Sequence, residues 1–337
     1  MRKLHMKSVD LPLKHTFKTA HSQRDVQRSI IVSIEERGHM GYGEATVNTY
    51  FGVTETQILQ GIESVRAIVE YFEWGTPEEL HALLSAELKG NTFPLCALDE
   101  AAYDLYGKLN GQSTYQYWGL KPHNLPLSNY TIGIDTIANM VAKMEEMPWP
   151  VYKIKLGTKE DIDIVRELRK HSDADFRVDA NCAWGVEETV KNAAAFREMG
   201  VSFVEQPMEP ENWEGMKKVY AQSVLPLVAD ESCIREEDVE KCVGHFHGIN
   251  IKLTKCGGPT VARRMIEKAR QHDMKVMVGC MTESSVGISA IAQLLPMLDY
   301  VDMDGSILLK EDPAEGVRLD FGKVIYPERY GNGAHWK

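Results

Sequence analysis

The chain of 337 residues contains no uninterrupted apolar run approaching the roughly 18 residues that a membrane-spanning helix needs. Its opening stretch, MRKLHMKSVDLPLKHTF, scatters charges and has no apolar centre, so it is not expected to act as a signal peptide. No block of Lys or Arg stands out. With 38 basic and 49 acidic residues the net charge is −11, which argues against nucleic acid and anionic membrane as partners and favours a small, metal-bridged ligand. The six cysteines are irregularly spaced, with no CxxC pair and no zinc-finger spacing, so reduced thiols and a cytoplasmic location are expected. HExxH, a Walker loop and GxSxG are all missing, and GYGEAT carries two of the three glycines of a dinucleotide fingerprint. Nothing in the composition specifies how many copies assemble, and a homo-oligomer is compatible with it.

What is present is a ladder. Six segments, VYKIK, FRVDAN, VSFVEQP, PLVADES, INIKLTK and YVDMDG, each place an acidic or Lys residue at the end of an expected strand: Lys153 and Lys155, Asp179, Glu205, Asp230, Lys252, then Asp302 and Asp304. The first five recur at intervals of 24, 26, 25 and 22 residues, and VMVGC fills the gap before the sixth. One strand, one helix and two short loops occupy such a step, which is the period of a βα barrel with its chemistry at the strand C-termini. Strands are expected near 127–132, 151–156, 176–180, 201–205, 226–230, 248–253, 275–279 and 299–303, joined by seven helices. The last strand runs into GSILLKEDPAEGVRLDFGKVIYP with no eighth helix, so the fold class is α/β, a modified TIM barrel of the (β/α)7β kind over about 120–310.

Residues 1–115 follow a different plan. HMKSVDLPL, SIIVSIEE and MGYGEAT read as an antiparallel meander with a turn at Arg37-Gly38-His39. Three helical patterns follow. The clearest is LCALDEAAYDLYGKLNG, where Leu95, Leu98, Ala102, Leu105 and Leu109 recur at three and four and Asn110-Gly111 ends the helix. This is an N-terminal α+β layer, completed by about 311–337.

Alternation along VYKIKLG puts Lys153 and Lys155 on one face and Tyr152, Ile154 and Leu156 on the other. With the apolar face packed on helices, both Lys point into the barrel, where they need compensating charge. Asp179, Glu205 and Asp230, on three successive strand ends, would repel one another unless a cation sat among them. An oxygen-only donor set points to Mg²⁺. Lys155 precedes the first of these acids by one strand and Lys252 follows the last by one, so the two flank the site from opposite sides. Such a pair can remove a proton from one face of a substrate and return one to the other. A proton α to a carboxylate is accessible to an amine base only if the enediolate is stabilised, which Mg²⁺ with Lys153 beside it would do. Lys255 is expected in a loop or supporting position, and CGGPT reads either as an anion cradle at a helix start or as a tight turn.

KxK, DAN, EQP, ADES and NIKLTKCGG, in this order over most of the chain, resemble the muconate-lactonising subgroup of the enolase superfamily. The resemblance implies that the N-terminal layer is a capping domain. It also implies Mg²⁺ on Asp179, Glu205 and Asp230, an acid/base pair of Lys155 and Lys252, and support from Lys153 and Asn181. Asp302 and Asp304, with their DxD spacing, resemble the dipeptide epimerases, in which this pair holds the free α-amino group of the substrate. The expected activity is therefore epimerisation of a dipeptide, the alternatives being an o-succinylbenzoate synthase or cycloisomerase of the same subgroup and a silent ligand-binding barrel. FKTAHSQRDVQ falls where that family's flexible loop reaches over the substrate, with Arg24, Lys18 and His21 as candidate contacts. Arg24 suits an acidic side chain, as in L-Ala-D/L-Glu, whereas Tyr50 and Phe51 offer apolar walls.

Overall fold

A computed structural model describes residues 2–19, 23–71 and 73–337; His21 lies outside them. The chain opens with three antiparallel strands, β1 (Lys3–Lys18), β2 (Gln23–Glu36) and β3 (His39–Thr46). Arg37 and Gly38, both at positive φ, form the two-residue turn between β2 and β3. The first hairpin runs further than alternation indicated. Phe17 pairs with Arg24 and Lys18 with Gln23, so most of FKTAHSQRDVQ is strand and not loop. Phe17 and Val26 are the large apolar residues in that stretch, too few to set a period, and backbone pairing with the neighbouring strand holds it.

Four helices follow where three patterns were read: α1 (Glu55–Ser64), α2 (Arg66–Tyr71), α3 (Pro77–Leu88) and α4 (Thr92–Asn110), then the single turn α5 (Thr114–Tyr117). Only Val65 separates α1 from α2. Reciprocal capping boxes, Thr54 with Gln57 and Thr76 with Glu79, start α1 and α3. Leu95, Leu98, Ala102 and Leu105 of α4 are buried against the sheet, each large side chain adding roughly 2 kcal/mol of burial. β3 crosses α4 almost in backbone contact: a Cβ on Gly43 would stand 1.9 Å from the Ala97 carbonyl oxygen, and one on Gly41 2.2 Å from that of Ala101. The glycines of GYGEAT therefore serve close packing, not a phosphate.

Eight parallel strands make the second unit: β4 (Tyr130–Ile132), β5 (Val151–Lys155), β6 (Asp175–Asp179), β7 (Val201–Glu205), β8 (Leu227–Ala229), β9 (Gly248–Lys252), β10 (Lys275–Gly279) and β11 (Tyr300–Asp302). They are hydrogen-bonded in chain order, and a parallel bridge between Ser128 and Val301 brings the two ends together. The helices α6 (Ile137–Glu146), α7 (Asp161–Arg169), α8 (Val186–Glu198), α9 (Trp213–Gln222), α10 (Asp238–Cys242), the pair α11 (Leu253–Cys256) and α12 (Pro259–Gln271), and α13 (Ser285–Ala292) fill the seven connections. Tyr152 and Ile154 pack outward into the core shared with these helices. Inside, Phe203, Val228, Met277 and Tyr300 close the barrel floor, with the Arg177 guanidinium over the Phe203 and Tyr300 rings. The interior is thus a packed plug with an open mouth only at the strand C-termini. No helix among the described residues is long and apolar enough to cross a membrane.

The end of the chain returns to α4. Asn332 N donates to Asp104 Oδ1 at 2.7 Å, Lys108 Nζ to the Ala334 carbonyl at 2.8 Å, and Thr114 N to Gly331 O at 2.9 Å. A second buried carboxyl of α4, Asp99, occupies the start of α12, accepting from Thr260 N at 2.8 Å and Thr260 Oγ1 at 2.9 Å. CGGPT is therefore a turn whose helix start is already filled from within. Burial pushes Asp99 up to about 8 against the pull of these two bonds, whereas an unfolded Asp titrates near about 3.9. Between those values the folded protein holds a proton that the unfolded chain has released, so this group's contribution to stability is present at low pH and lost as pH rises toward about 8. Asp99→Asn, a neutral isostere, should flatten the fall in melting temperature measured from pH 5 to 8; an unchanged slope in the variant would refute the assignment.

Candidate active site

Strand direction and pleat bring the ladder together at one end of the barrel. Lys155, Asp179, Glu205, Lys252 and Asp302 are the last residues of β5, β6, β7, β9 and β11, and Asp230 is one past β8. Oxygens of Asp179, Glu205 and Asp230 all lie within 4.8 Å of one another, and the three residues are at most 1% exposed. Lys155 Nζ donates to Asp179 Oδ2 at 2.6 Å and Lys252 Nζ to Asp230 Oδ2 at 2.6 Å. In the sheet order β5 and β9 are separated by three strands, those bearing the acids, so the ammoniums approach the carboxylate cluster from opposite sides. Lys153 lies deeper, 2.8 Å from Asp302 Oδ2 and 3.2 Å from Asp179 Oδ2. It meets Glu205 at 2.9 Å (Oε1) and 2.8 Å (Oε2), only the first with hydrogen-bond geometry.

The donor set suits a hard divalent cation. It consists of three carboxylates converging on one point, with no His or Cys among them, and Glu205 Oε2 is buried without a hydrogen-bond donor. The electrostatics agree. Burial and then the Asp179 charge drive Glu205 up to about 8 despite Lys153, showing how strongly the cluster resists a third negative charge. Burial also opposes ionisation of Asp179, but Lys155 and Lys153 outweigh it and hold that carboxyl at about 2. Asp230 is likewise held well below its usual range, burial being overridden by Lys252 and Lys255. Burial would lower Lys252, yet Asp230 keeps its ammonium above the ordinary value.

Asp302 and Asp304 also come together, although only the first lies on the strand. β11 ends at Asp302, and Asp304 begins a 3₁₀ turn, so the turn swings its carboxyl back beside Asp302. Their oxygens and Cys280 Sγ lie within 4.8 Å of one another. Asn129 Nδ2 donates to Asp302 Oδ1 at 2.8 Å, and Thr131 N to Asp304 Oδ2 at 2.5 Å. Burial, then repulsion from Asp302, raises Asp304 to about 7. Asn181, at positive φ beyond β6, donates from its backbone to Asp179 Oδ1 at 2.9 Å and from Nδ2 to Glu231 Oε1 at 3.3 Å.

A cleft lies over this floor, between the barrel mouth and the N-terminal layer. Lys153, Lys155, Lys252, Asp302 and Asp304 line it from below, and Phe17, Arg24, Tyr50 and Phe51 from above. Arg24 sits on β2, bonded to the Gln27 side chain and 5.9 Å from the Phe17 ring centroid. Lys18, on the opposite strand, has an exposed side chain and does not line the cleft.

Gln206 and Asn250 were not assigned a role from the sequence, and Lys255 takes the supporting one of its two expected places. It lies on α11, 1% exposed, and donates to Asp230 Oδ1 at 2.5 Å and to the carbonyls of Asp230, Cys233 and Asn250 at 2.5, 3.1 and 3.4 Å. Gln206, the middle letter of EQP, accepts from Asp230 N at 2.9 Å and Ser232 N at 3.1 Å, tying one acidic loop to the next. Asn250 Nδ2 donates to Glu205 Oε1 at 2.8 Å. The inward parity of Asn250, two residues before Lys252, was the available signal. Lys255→Met keeps the stem and removes the charge, leaving Asp230 Oδ1 and buried carbonyls without their donor. A loss of about 3 kcal/mol in chemical denaturation is expected, and a loss below about 1 kcal/mol would contradict this placement.

The model of the enolase C-terminal domain-like family matches residues 136–337. The L-Ala-D/L-amino acid epimerase of Maribacter sp. (strain HTCC2170 / KCCM 42371) is 56% identical over 329 residues, 97% of each chain. Among solved structures, a substrate-liganded complex of the L-Ala-D/L-Glu epimerase from Bacillus subtilis superposes with a TM-score of 0.93 at 26% identity, covering 98% of both chains. The dipeptide epimerase from Cytophaga hutchinsonii, complexed with Mg and the dipeptide D-Ala-L-Val, gives 0.93 at 25% identity over all of this chain and 96% of that one.

Proposed function

Since the chain belongs to the enolase C-terminal domain-like family, and with it to the enolase superfamily, we propose that it is a dipeptide epimerase inverting the Cα of the second residue by 1,1-proton transfer. The observation that carries this is the placement of Lys155 and Lys252 on opposite sides of one buried carboxylate cluster. A single-base lyase or cycloisomerase needs only one of them and has no use for the paired Asp302 and Asp304.

Asp179, Glu205 and Asp230 would hold Mg²⁺, with Asn181 steadying the first. When bound, Mg²⁺ supplies charge stabilisation for an enediolate and competes with the Lys ammoniums for the acids, favouring a free amine. One Lys then takes the Cα proton while the other donates to the opposite face, and their roles exchange for the opposite isomer. Lys153 adds a buried cation beside the developing charge. Asp302 and Asp304 receive the substrate's free ammonium, which compensates two adjacent buried carboxyls. Residues 1–115 with 311–337 form the capping unit, and 120–310 the catalytic barrel.

Arg24, reaching into the cleft from the capping layer, suits the side-chain carboxylate of L-Ala-D/L-Glu. The rings of Phe17, Tyr50 and Phe51 around it favour a second reading, in which apolar side chains are also accepted. Incubation in D₂O with Mg²⁺ should introduce deuterium at the Cα of the second residue and scramble its chirality, and Lys155→Ala or Lys252→Ala should each slow epimerisation of both isomers by more than about 100-fold. Retained epimerisation in either variant would exclude the two-base mechanism. Failure of every dipeptide to exchange, with dehydration of an o-succinylbenzoate precursor instead, would favour the lyase. An Arg24→Ala enzyme that still prefers Ala-Glu over Ala-Leu would transfer selectivity to the aromatic walls.

A further inference from the structure

Glu44 is a carboxylate of the N-terminal sheet that lies outside the cleft and has no part in the proton transfer, yet it is 1% exposed and saturated with donors. Ser29 Oγ donates to its Oε1 at 2.7 Å, Ser284 Oγ to Oε2 at 2.5 Å, Ser284 N to Oε2 at 3.1 Å, and Gly287 N to Oε2 at 3.2 Å. Ser284 caps α13, so a side chain on β3 completes the cap of a barrel helix more than 200 positions later. The backbone of Glu44 is fixed in turn: its N–H donates to Glu100 Oε2 at 2.9 Å.

Both chain directions from this contact lead to the cleft. Forward from β3 come Asn48, Tyr50 and Phe51, which line it from the N-terminal layer. Backward from Ser284 come Thr282, Met281 and Cys280, which line it from the barrel. Met281 N is held by Glu283 Oε1 at 2.8 Å, and Asn48 Nδ2 meets Met281 Sδ at 3.5 Å, so the two walls also touch.

We propose that Glu44 is a positioning residue for substrate binding: by joining β3 to the start of α13 it sets the distance between the capping wall and the barrel wall of the cleft. It acts on the walls, not on Lys155, Lys252 or the three acids, whose strands are fixed by the barrel ladder. Its loss should therefore weaken binding of ground state and transition state alike, raising KM with little change in kcat. That kinetic consequence rests on the dipeptide-epimerase reading; the structural one does not.

In Glu44→Gln the side-chain NH₂ must face N–H donors that a carboxylate accepts. For that variant we expect KM for L-Ala-L-Glu to rise about tenfold with kcat within about threefold, and amide exchange over 47–53 and 280–287 to speed up by about tenfold or more, without a change in secondary structure. Ser284→Ala approaches the same contact from the barrel and should reproduce the pattern if Glu44→Gln fails to fold. The double variant should add little to either. Unchanged exchange in both segments, or a fall in kcat with KM fixed, would overturn the proposal. If the wild-type protein epimerises no dipeptide, the functional reading fails, and the exchange comparison still decides the role of Glu44.

Discussion

Four ammoniums, of Lys153, Lys155, Lys252 and Lys255, and four carboxylates, of Asp179, Glu205, Asp230 and Asp302, share a volume largely withdrawn from water. Any one of them buried alone would cost several kcal/mol, so none can be placed before its partners are. The barrel supplies the placement because neighbouring parallel strands run in register, bringing Lys155 beside Asp179 and Asp179 beside Glu205. The same balance leaves Glu205 incompletely compensated and Asp304 raised, and these mark where a divalent cation and a substrate ammonium would relieve the charge. Stability and chemistry are therefore set by one electrostatic arrangement.

The N-terminal layer solves a related problem with its own buried acids. Asp99 fills the start of α12 and Glu44 the start of α13, while Asp104 receives the returning chain end at Asn332 and bonds Lys108. Helix N-termini carry unsatisfied N–H groups and a partial positive charge, so a carboxyl from another layer serves as a fastener that no apolar residue could replace. Docking by hydrogen bonds is more directional than docking by apolar area. It holds the N-terminal layer in one orientation over the barrel mouth, which a cleft shared between two layers requires.

The period of the strand-end residues and the alternation within VYKIKLG made the barrel strands legible to within two or three residues. The three acids and flanking Lys were legible for the same reason: strand geometry alone decides where those side chains go. Gln206 and Glu44 were not, because their roles arise from contacts across the fold. Gln206 is identified by the backbone it receives from Asp230 and Ser232, and Glu44 by an α13 that lies far along the chain. The extension of β1 and β2 was hidden for another physical reason. A hairpin end with few apolar residues has no hydrophobic period, and its strand character comes from the pairing of Phe17 with Arg24 and Lys18 with Gln23.

The location of Arg24 follows from that hairpin and bears on how selectivity can vary. Lys155 and Lys252 are carried by strands bonded on both sides, where a shift of even one residue would invert every side chain between interior and exterior. Arg24 stands where β1 and β2 pair last, past an irregularity in their register, in a sheet that meets the barrel through its β1 backbone, Ile134 N donating to Lys18 O at 3.0 Å and Lys310 N to Pro12 O at 2.8 Å. Substitution there changes what fills the cleft without moving a charge in the floor. On the proposed function, proton transfer would be tied to the part of the fold least able to vary, and recognition of the second side chain to the end of a hairpin. On that division, dipeptide preference in this chain would be set by the hairpin and the Asn48–Phe51 segment, apart from the ladder of Lys and acids.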